Sequence, residues 1–186
     1  MSEKIKIDDF QENFVSNSSK ILSIKNLENK YKNPCDLELE ACVLGCLIVN
    51  SEIFDTVFSF LKKENFFSES HRNICNAIIN LNLNSEKIDL LTVINQLRKD
   101  GNLENVGGAH YIVLITSNIG AFSNIENYCK ILVEMSMRRD LISNCISIQR
   151  ECYDYTKDIF DLVDSAEKSI FEITSSNIKE NYKNIN

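Results

Sequence analysis

Residues 124–154 read NIENYCKILVEMSMRRDLISNCISIQRECYD, with no glycine or proline to break them. That stretch predicts one helix of roughly 45 Å at about 1.5 Å per residue. Apolar side chains recur along it in steps of three and four. Ile125, Tyr128, Leu132, Met135, Ile142, Ile146 and Tyr153 form one stripe, interrupted by Arg139 and Gln149. A second stripe, Leu141, Cys145, Ile148 and Cys152, lies on a neighbouring face of the C-terminal half. After the short link Tyr155-Thr156-Lys157, the residues Ile159, Val163, Ala166, Ile170 and Ile173 repeat at heptad spacing and predict a second helix. So short a link folds the two helices back as an antiparallel hairpin. The long helix then carries more apolar face than one returning helix can cover. The remainder is either wide intramolecular core or a self-association surface.

Upstream, the helical period continues in shorter pieces. Asp36 is placed to cap a helix with Glu38 and Glu40 in its first turn, and Leu37, Ala41, Leu44 and Ile48 line one face. A short helix from about Ser51 carries Ile53, Phe54, Val57, Phe58 and Leu61. Ser68 is placed to cap the next, with Ile74, Ala77, Ile78 and Leu81, and Asp89 the one after, with Leu90, Val93, Ile94 and Leu97 ended by Gly101. Gly107-Gly108 breaks the chain before a last short helix through Tyr111, Ile112 and Ile115. Strict alternation persists nowhere and no two-residue hairpin signal occurs. The expected fold is all-α: a compact multi-helix globular domain over 33–122, then a long helical hairpin over 123–174. Residues 1–32, polar and without sustained periodicity, are expected to form a mobile arm.

Composition bounds the function. The 186 residues hold 20 basic and 27 acidic side chains, a net charge of −7, which argues against wrapping of DNA or RNA by this piece. The longest apolar run, residues 41–49, is too short to span a bilayer, and no charged-then-apolar leader opens the chain. Seven cysteines without a signal peptide point to reduced thiols in a cytoplasmic protein.

Catalytic chemistry is hard to find. None of the five glycines precedes a lysine, so the chain has no P-loop. No nucleophile elbow occurs. His71 and His110 are read as structural. Cys42 and Cys46 on one helix and His71 and Cys75 on another have the spacing of a Cys3His zinc site, but they sit in apolar stripes and no knuckle turn accompanies them. The pairs Glu38/Glu40 and Asp161/Asp164 are read as helix starts and solvated faces, and Arg138-Arg139 as solvated or ion-paired. No catalytic residue, metal or cofactor is expected in this chain, which reads as a helical interaction module.

Five short blocks, in order, resemble the N-terminal region of the bacterial replicative DNA helicases of the DnaB family. They are Pro34-x-Asp36-x-Glu38-x-Glu40-x-x-Val43-Leu44-Gly45; Phe66-Phe67-x-x-x-His71-Arg72-x-Ile74; Ile88-Asp89-Leu90-Leu91-Thr92-Val93; Gly101-x-Leu103-Glu104-x-Val106-Gly107-Gly108-x-x-Tyr111-Ile112; and Asn124-Ile125-x-x-Tyr128-x-x-Ile131-Leu132-Val133-Glu134, closed by Arg139-x-Leu141-Ile142. Leu39 and Ala41 stand where the family often has Ala and Gln, and no proline precedes the long helix around 117–121.

The resemblance implies a non-catalytic collar domain whose hairpins pair between neighbouring subunits of a hexameric ring. Primase docks on that collar, and a helicase loader acts nearby. In the family a linker then leads to a RecA-like motor that uses ATP and Mg2+ to move 5′→3′ on DNA; residues 175–186 are expected to begin that linker. Contact with DNA is expected mainly through the motor, and none with a membrane. Tyr111, Leu141, Ile142, Cys145 and Ile148 are the candidate partner-contact residues. Charge at Ile148 or Tyr111 should weaken assembly or primase binding with helicity intact. The alternative is a stand-alone adaptor of the same fold that regulates a separate helicase or primase.

Overall fold

A computed structural model describes residues 32–117 and 124–181. The expected arm lies outside the described residues except for Lys32, and so does the segment 118–123. Among the described residues there are seven α-helices and two 3-10 turns, and no strand. The helices are α1 (Leu37–Val49), α2 (Phe54–Phe58), α3 (Glu69–Leu83), α4 (Leu90–Lys99), α5 (Gly108–Ser117), α6 (Ile125–Cys152) and α7 (Ile159–Asn181). All belong to one unit, Pro34–Asn186.

The expected caps differ in how they work. Asp36 accepts from the Leu39 amide at 3.0 Å and starts α1. Asp89 accepts from the amides of Leu91 and Thr92, both at 3.0 Å, while Thr92 Oγ1 accepts from the Asp89 amide at 2.9 Å, a reciprocal box that starts α4. Ser68 holds the cap position of α3 without a side-chain cap bond; its backbone amide is taken by Glu40 instead.

Helix α1 is the centre of the globular part, touched by α3, α4, α5 and α6. A helix surrounded in this way buries nearly all its faces, so the expected single stripe is too narrow. Val43, Leu44, Cys46, Leu47 and Ile48 are all buried, whereas Leu37 at the N-terminus is 49% exposed.

The hairpin forms as expected, but α6 serves two partners in turn. Ile125, Cys129, Leu132 and Val133 are buried in the core of the globular part. The C-terminal half packs against α7. A domain boundary at 123 would therefore cut away part of the core, and the globular part and hairpin form one unit. Helix α7 continues past the expected end at Thr174 to Asn181.

Candidate protein–protein interface

The inner seam of the hairpin is polar in part. Ser169 Oγ donates to Asn144 Oδ1 at 3.0 Å across the two helices. Ile148, Leu162 and Ala166 line the cleft beside this pair. On α7 the seam therefore runs through Leu162, Ala166 and Ser169. The expected heptad stripe lies to one side: Ala166 and Ile173 are half-buried, but Ile159 (60%), Val163 (46%) and Ile170 (49%) are exposed. On α6, Leu141 and Ile142 are 41% and 43% exposed, and Cys145 and Cys152 are exposed. The hairpin thus shows apolar surface on both helices that its own seam leaves open.

Of the five candidate contact residues, Leu141, Ile142 and Cys145 stand on that open surface. Ile148 is half-buried in the interhelical cleft. Tyr111 lies apart on α5, half-buried, with its hydroxyl engaged in the globular part. A charge at Ile148 would therefore disturb the hairpin seam itself, so Leu141 and Cys145 test the surface more cleanly.

Tyr111 ends a buried polar chain that sequence reasoning did not assemble. Glu40, 1% exposed, accepts from the amides of Phe67 (2.6 Å) and Ser68 (3.3 Å) and lies 2.7 Å from His71 Nδ1. His71 Nε2 lies 2.6 Å from the Tyr111 hydroxyl. In the tautomer whose Nδ1–H donates to the carboxylate, Nε2 accepts from the phenol. Burial, and then the charge of Glu40, hold the Tyr111 phenol above its ordinary pKa. Glu40 is thus no solvated helix-start residue, as Glu38 is: its carboxylate faces the core and ties α1 to the start of α3.

Arg139 is half-buried, and among the described residues its guanidinium is held by backbone carbonyls rather than by a carboxylate. Its Nη1 donates to the carbonyl of Pro34 at 2.8 Å and its Nη2 to that of Asn65 at 2.7 Å, with the guanidinium 5.6 Å from the Phe67 ring centre. This explains why an arginine interrupts the apolar stripe of α6. Arg138 is exposed. Residues 65–68 are gripped twice, by Glu40 on their amides and by Arg139 on a carbonyl. No sequence signal links residues so far apart, although Glu40, Phe67, Ser68, His71 and Arg139 all fall within the quoted blocks.

Both His71 ring nitrogens are occupied in this way, which removes it from the conceivable zinc quartet. Among the described residues no group of three or more His, Cys, Asp or Glu is arranged to hold a metal ion. Cys46, Cys75 and Cys129 are buried. Burial first, and the nearby Cys42 second, push the Cys46 thiol up to about 12. Burial chiefly pushes Cys129 to about 12 and also raises Cys75. These thiols pack as small apolar groups. No single helix among the described residues is long and apolar enough to cross a membrane.

A family model described as the DnaB-like helicase N terminal domain matches residues 32–134. The replicative DNA helicase DnaC of Bacillus subtilis is 32% identical over 160 residues, which cover 86% of this chain and 35% of that protein. The replicative DNA helicase DnaB of Rhodothermus marinus is 30% identical over 153 residues, covering 82% of this chain and 16% of that one. Among solved structures, the N-terminal domain of the DnaB helicase from Mycobacterium tuberculosis superposes with a TM-score of 0.72 at 27% identity, covering 76% of this chain and 99% of that one. A DnaB-like replicative helicase, solved in a study of its interactions with primase, shares the fold at a TM-score of 0.64 and 20% identity, over 77% of this chain and 32% of that one. The chain spans about a third or less of the two helicases named first.

Proposed function

This chain belongs to the DnaB-like helicase N-terminal domain family, and on that premise we propose that it is the non-catalytic collar of a replicative DNA helicase. Its task on this reading is to hold subunits together in a hexameric ring and to dock primase. The motor is a RecA-like domain outside this chain, where ATP and Mg2+ are used to move 5′→3′ on DNA. A helicase loader is a further partner, and the place of work is the cytoplasmic replisome.

The supporting observation is the open apolar surface of the hairpin. Leu141, Ile142 and Cys145 on α6, with Ile159, Val163 and Ile170 on α7, are exposed outside the seam that joins the two helices. Exposed large apolar side chains concentrated on one hairpin support an association site. A second hairpin, offering the same side chains, is the partner that covers it most economically in evolution, because a two-fold pair needs only one self-complementary patch. The polar bracing by Glu40 and Arg139 supports the same reading, since it fixes the hairpin root against the globular part.

Light scattering of this chain over a concentration series tests the proposal. The expected result is a dimer or larger assembly that Leu141→Glu shifts toward monomer with its circular dichroism unchanged. A parent chain that is monomeric at every concentration would overturn the self-association part. For docking, the probe is a bacterial primase titrated against parent and Leu141→Glu chains; binding by neither would remove primase from the reading.

A further inference from the structure

The outer hairpin has no buried side chain. None is buried on α6 beyond Ser136, and none on α7 over residues 159–175. Helix α7 rests chiefly on α6, through the half-buried Leu162, Ala166, Ser169 and Ile173. Apolar burial is the main force that fixes one helix on another, and here it is spread thinly over a helix of 23 residues.

The seam is small-sided and polar instead. Ser147, Ser165, Ala166 and Ser169 line, with Asn144, a cleft of about 110 Å³ that they do not fill. The Ser169 hydroxyl has one proton and two acceptors, Asn144 Oδ1 at 3.0 Å across the seam and the Ala166 carbonyl of its own helix at 2.9 Å. The bond across the seam therefore competes with one inside α7. Asn144 Nδ2 is buried and has no hydrogen-bond partner. An unmatched buried donor favours an opening that lets water reach it. Toward the hairpin root, Asp140 of α6 and Glu172 of α7 line a second cleft together, and like charges on facing helices resist closure.

Both ends of this loose stretch are held. At the turn, Asp154 accepts from the Thr156 amide (3.1 Å) and hydroxyl (2.6 Å), and Asp158 accepts from the Phe160 amide at 2.8 Å. Lys157 pairs with Glu151 at 2.9 Å. At the root, α6 is anchored in the globular core by Ile125, Cys129, Leu132 and Val133. The turn is thus a hinge, and the seam opens from the root side.

We propose that α7 is a releasable strap, which swings off α6 as a unit about the 153–158 turn while the globular core and the first half of α6 stay folded. Release gives Asn144 Nδ2 access to water, separates Asp140 from Glu172 and uncovers the seam face at Ile148. It is a sub-global opening, distinct from unfolding of the core. It needs no second copy, so it stands apart from the pairing reading above. A partner that bridges both helices would hold the strap closed, and its binding would be linked to closure.

Hydrogen exchange read by mass spectrometry on the 186-residue chain tests it. The concentration is one at which light scattering gives the mass of a single chain, or the Leu141→Glu chain is used where the parent stays associated. A helix released into water is marginal, so its amides exchange once it is free. Residues 160–174 should share one protection factor, at least about tenfold below those of α1 and α3. Asn144→Leu with Ser169→Ala removes the unmatched amide and its hydroxyl partner, and should raise protection in α7 by about threefold or more. Leu162→Ala thins the seam and should lower it by about tenfold. Neither change should alter protection in α1. Equal protection in α7 and α1 would overturn the strap, because α7 would then open only with the core. Protection that declines evenly from the turn to the far end of α7 would mean fraying and would overturn release as a unit. Exchange of α7 that ignores both seam variants would overturn the seam as the cause.

Discussion

Ser85 and Gly101 occupy the same position in two copies of one helix terminus. After α3, Ser85 N donates to the Asn82 carbonyl and Glu86 N to that of Leu81, both at 2.9 Å. After α4, Gly101 N donates to Arg98 O at 3.2 Å and Asn102 N to Leu97 O at 2.9 Å. Both patterns need a left-handed residue, and φ is 56° at Ser85 and +71° at Gly101. Glycine adopts that conformation without steric cost; serine does not. Ser85→Gly should therefore stabilise the protein by about 0.5–1 kcal/mol, and Gly101→Ala should destabilise it by about 1 kcal/mol. Beyond its own chain neighbours nothing lies within 4 Å of where a Cβ would stand at Gly101, so the second effect is one of backbone conformation. Thermal unfolding should show opposite shifts in Tm, and shifts of equal sign would contradict the assignment. Gly101 was legible as a terminator because glycine advertises the role; Ser85 was not, because serine is common everywhere.

Glu40→Ala leaves His71 and the amides of Phe67 and Ser68 without their acceptor, and should cost roughly 3 kcal/mol. Tyr111→Phe removes one bond at a half-buried edge and should cost about 1 kcal/mol. Because the two side chains act through His71, the double variant should cost less than the sum. Strict additivity in chemical denaturation would show that Glu40 and Tyr111 are not coupled. The glutamate was misread from sequence because a helix-start carboxylate and a buried one have the same local neighbourhood; only the arrival of α3 and α5 distinguishes them.

At the level of elements, the Asp89 cap of α4 yields a pH dependence. The amide and side chain of Thr92, foremost among its neighbours, hold the Asp89 carboxyl below the ordinary carboxylate range. A depressed folded-state pKa means that its stabilisation is complete above the unfolded pKa and is lost as the pH falls through the folded one. Asp89→Ala should therefore destabilise at neutral pH, by about 1 kcal/mol for a cap of this type. The gap between parent and variant should narrow below about pH 4. A gap that widens on acidification would reverse the sign and remove the charge from the explanation. Such caps, and the hairpin itself, were legible because they depend on residues three or four apart. The face of α7 that meets α6 was not: Ile159, Val163 and Ile170 look like a seam by spacing alone, yet Ser169 joined to Asn144 sets the register and turns them outward.

For the whole molecule, the decisive connections are those that span the chain, and Arg139 makes two of them. It reaches Pro34 and Asn65 from the middle of α6, so one side chain ties the hairpin root to the start of the globular part and to the segment that Glu40 grips from its other side. The all-α order could be read from period and breakers, and the family from its five blocks. That an arginine inside an apolar stripe is a clamp could not, because its partners are backbone carbonyls, which leave no trace in side-chain identity. Arg139→Leu would keep the stripe apolar but leave those carbonyls without their charged donor, at a cost of about 2 kcal/mol. Arg139→Lys keeps the charge and loses the fork that holds both at once, so it should rescue only part. Hydrogen exchange locates the damage. If Arg139 braces the root, amides over residues 62–68 should exchange faster in both variants while those of α4 stay close to the parent; equal acceleration in both regions would mean that the arginine supports the fold in general rather than the junction between the hairpin and the rest.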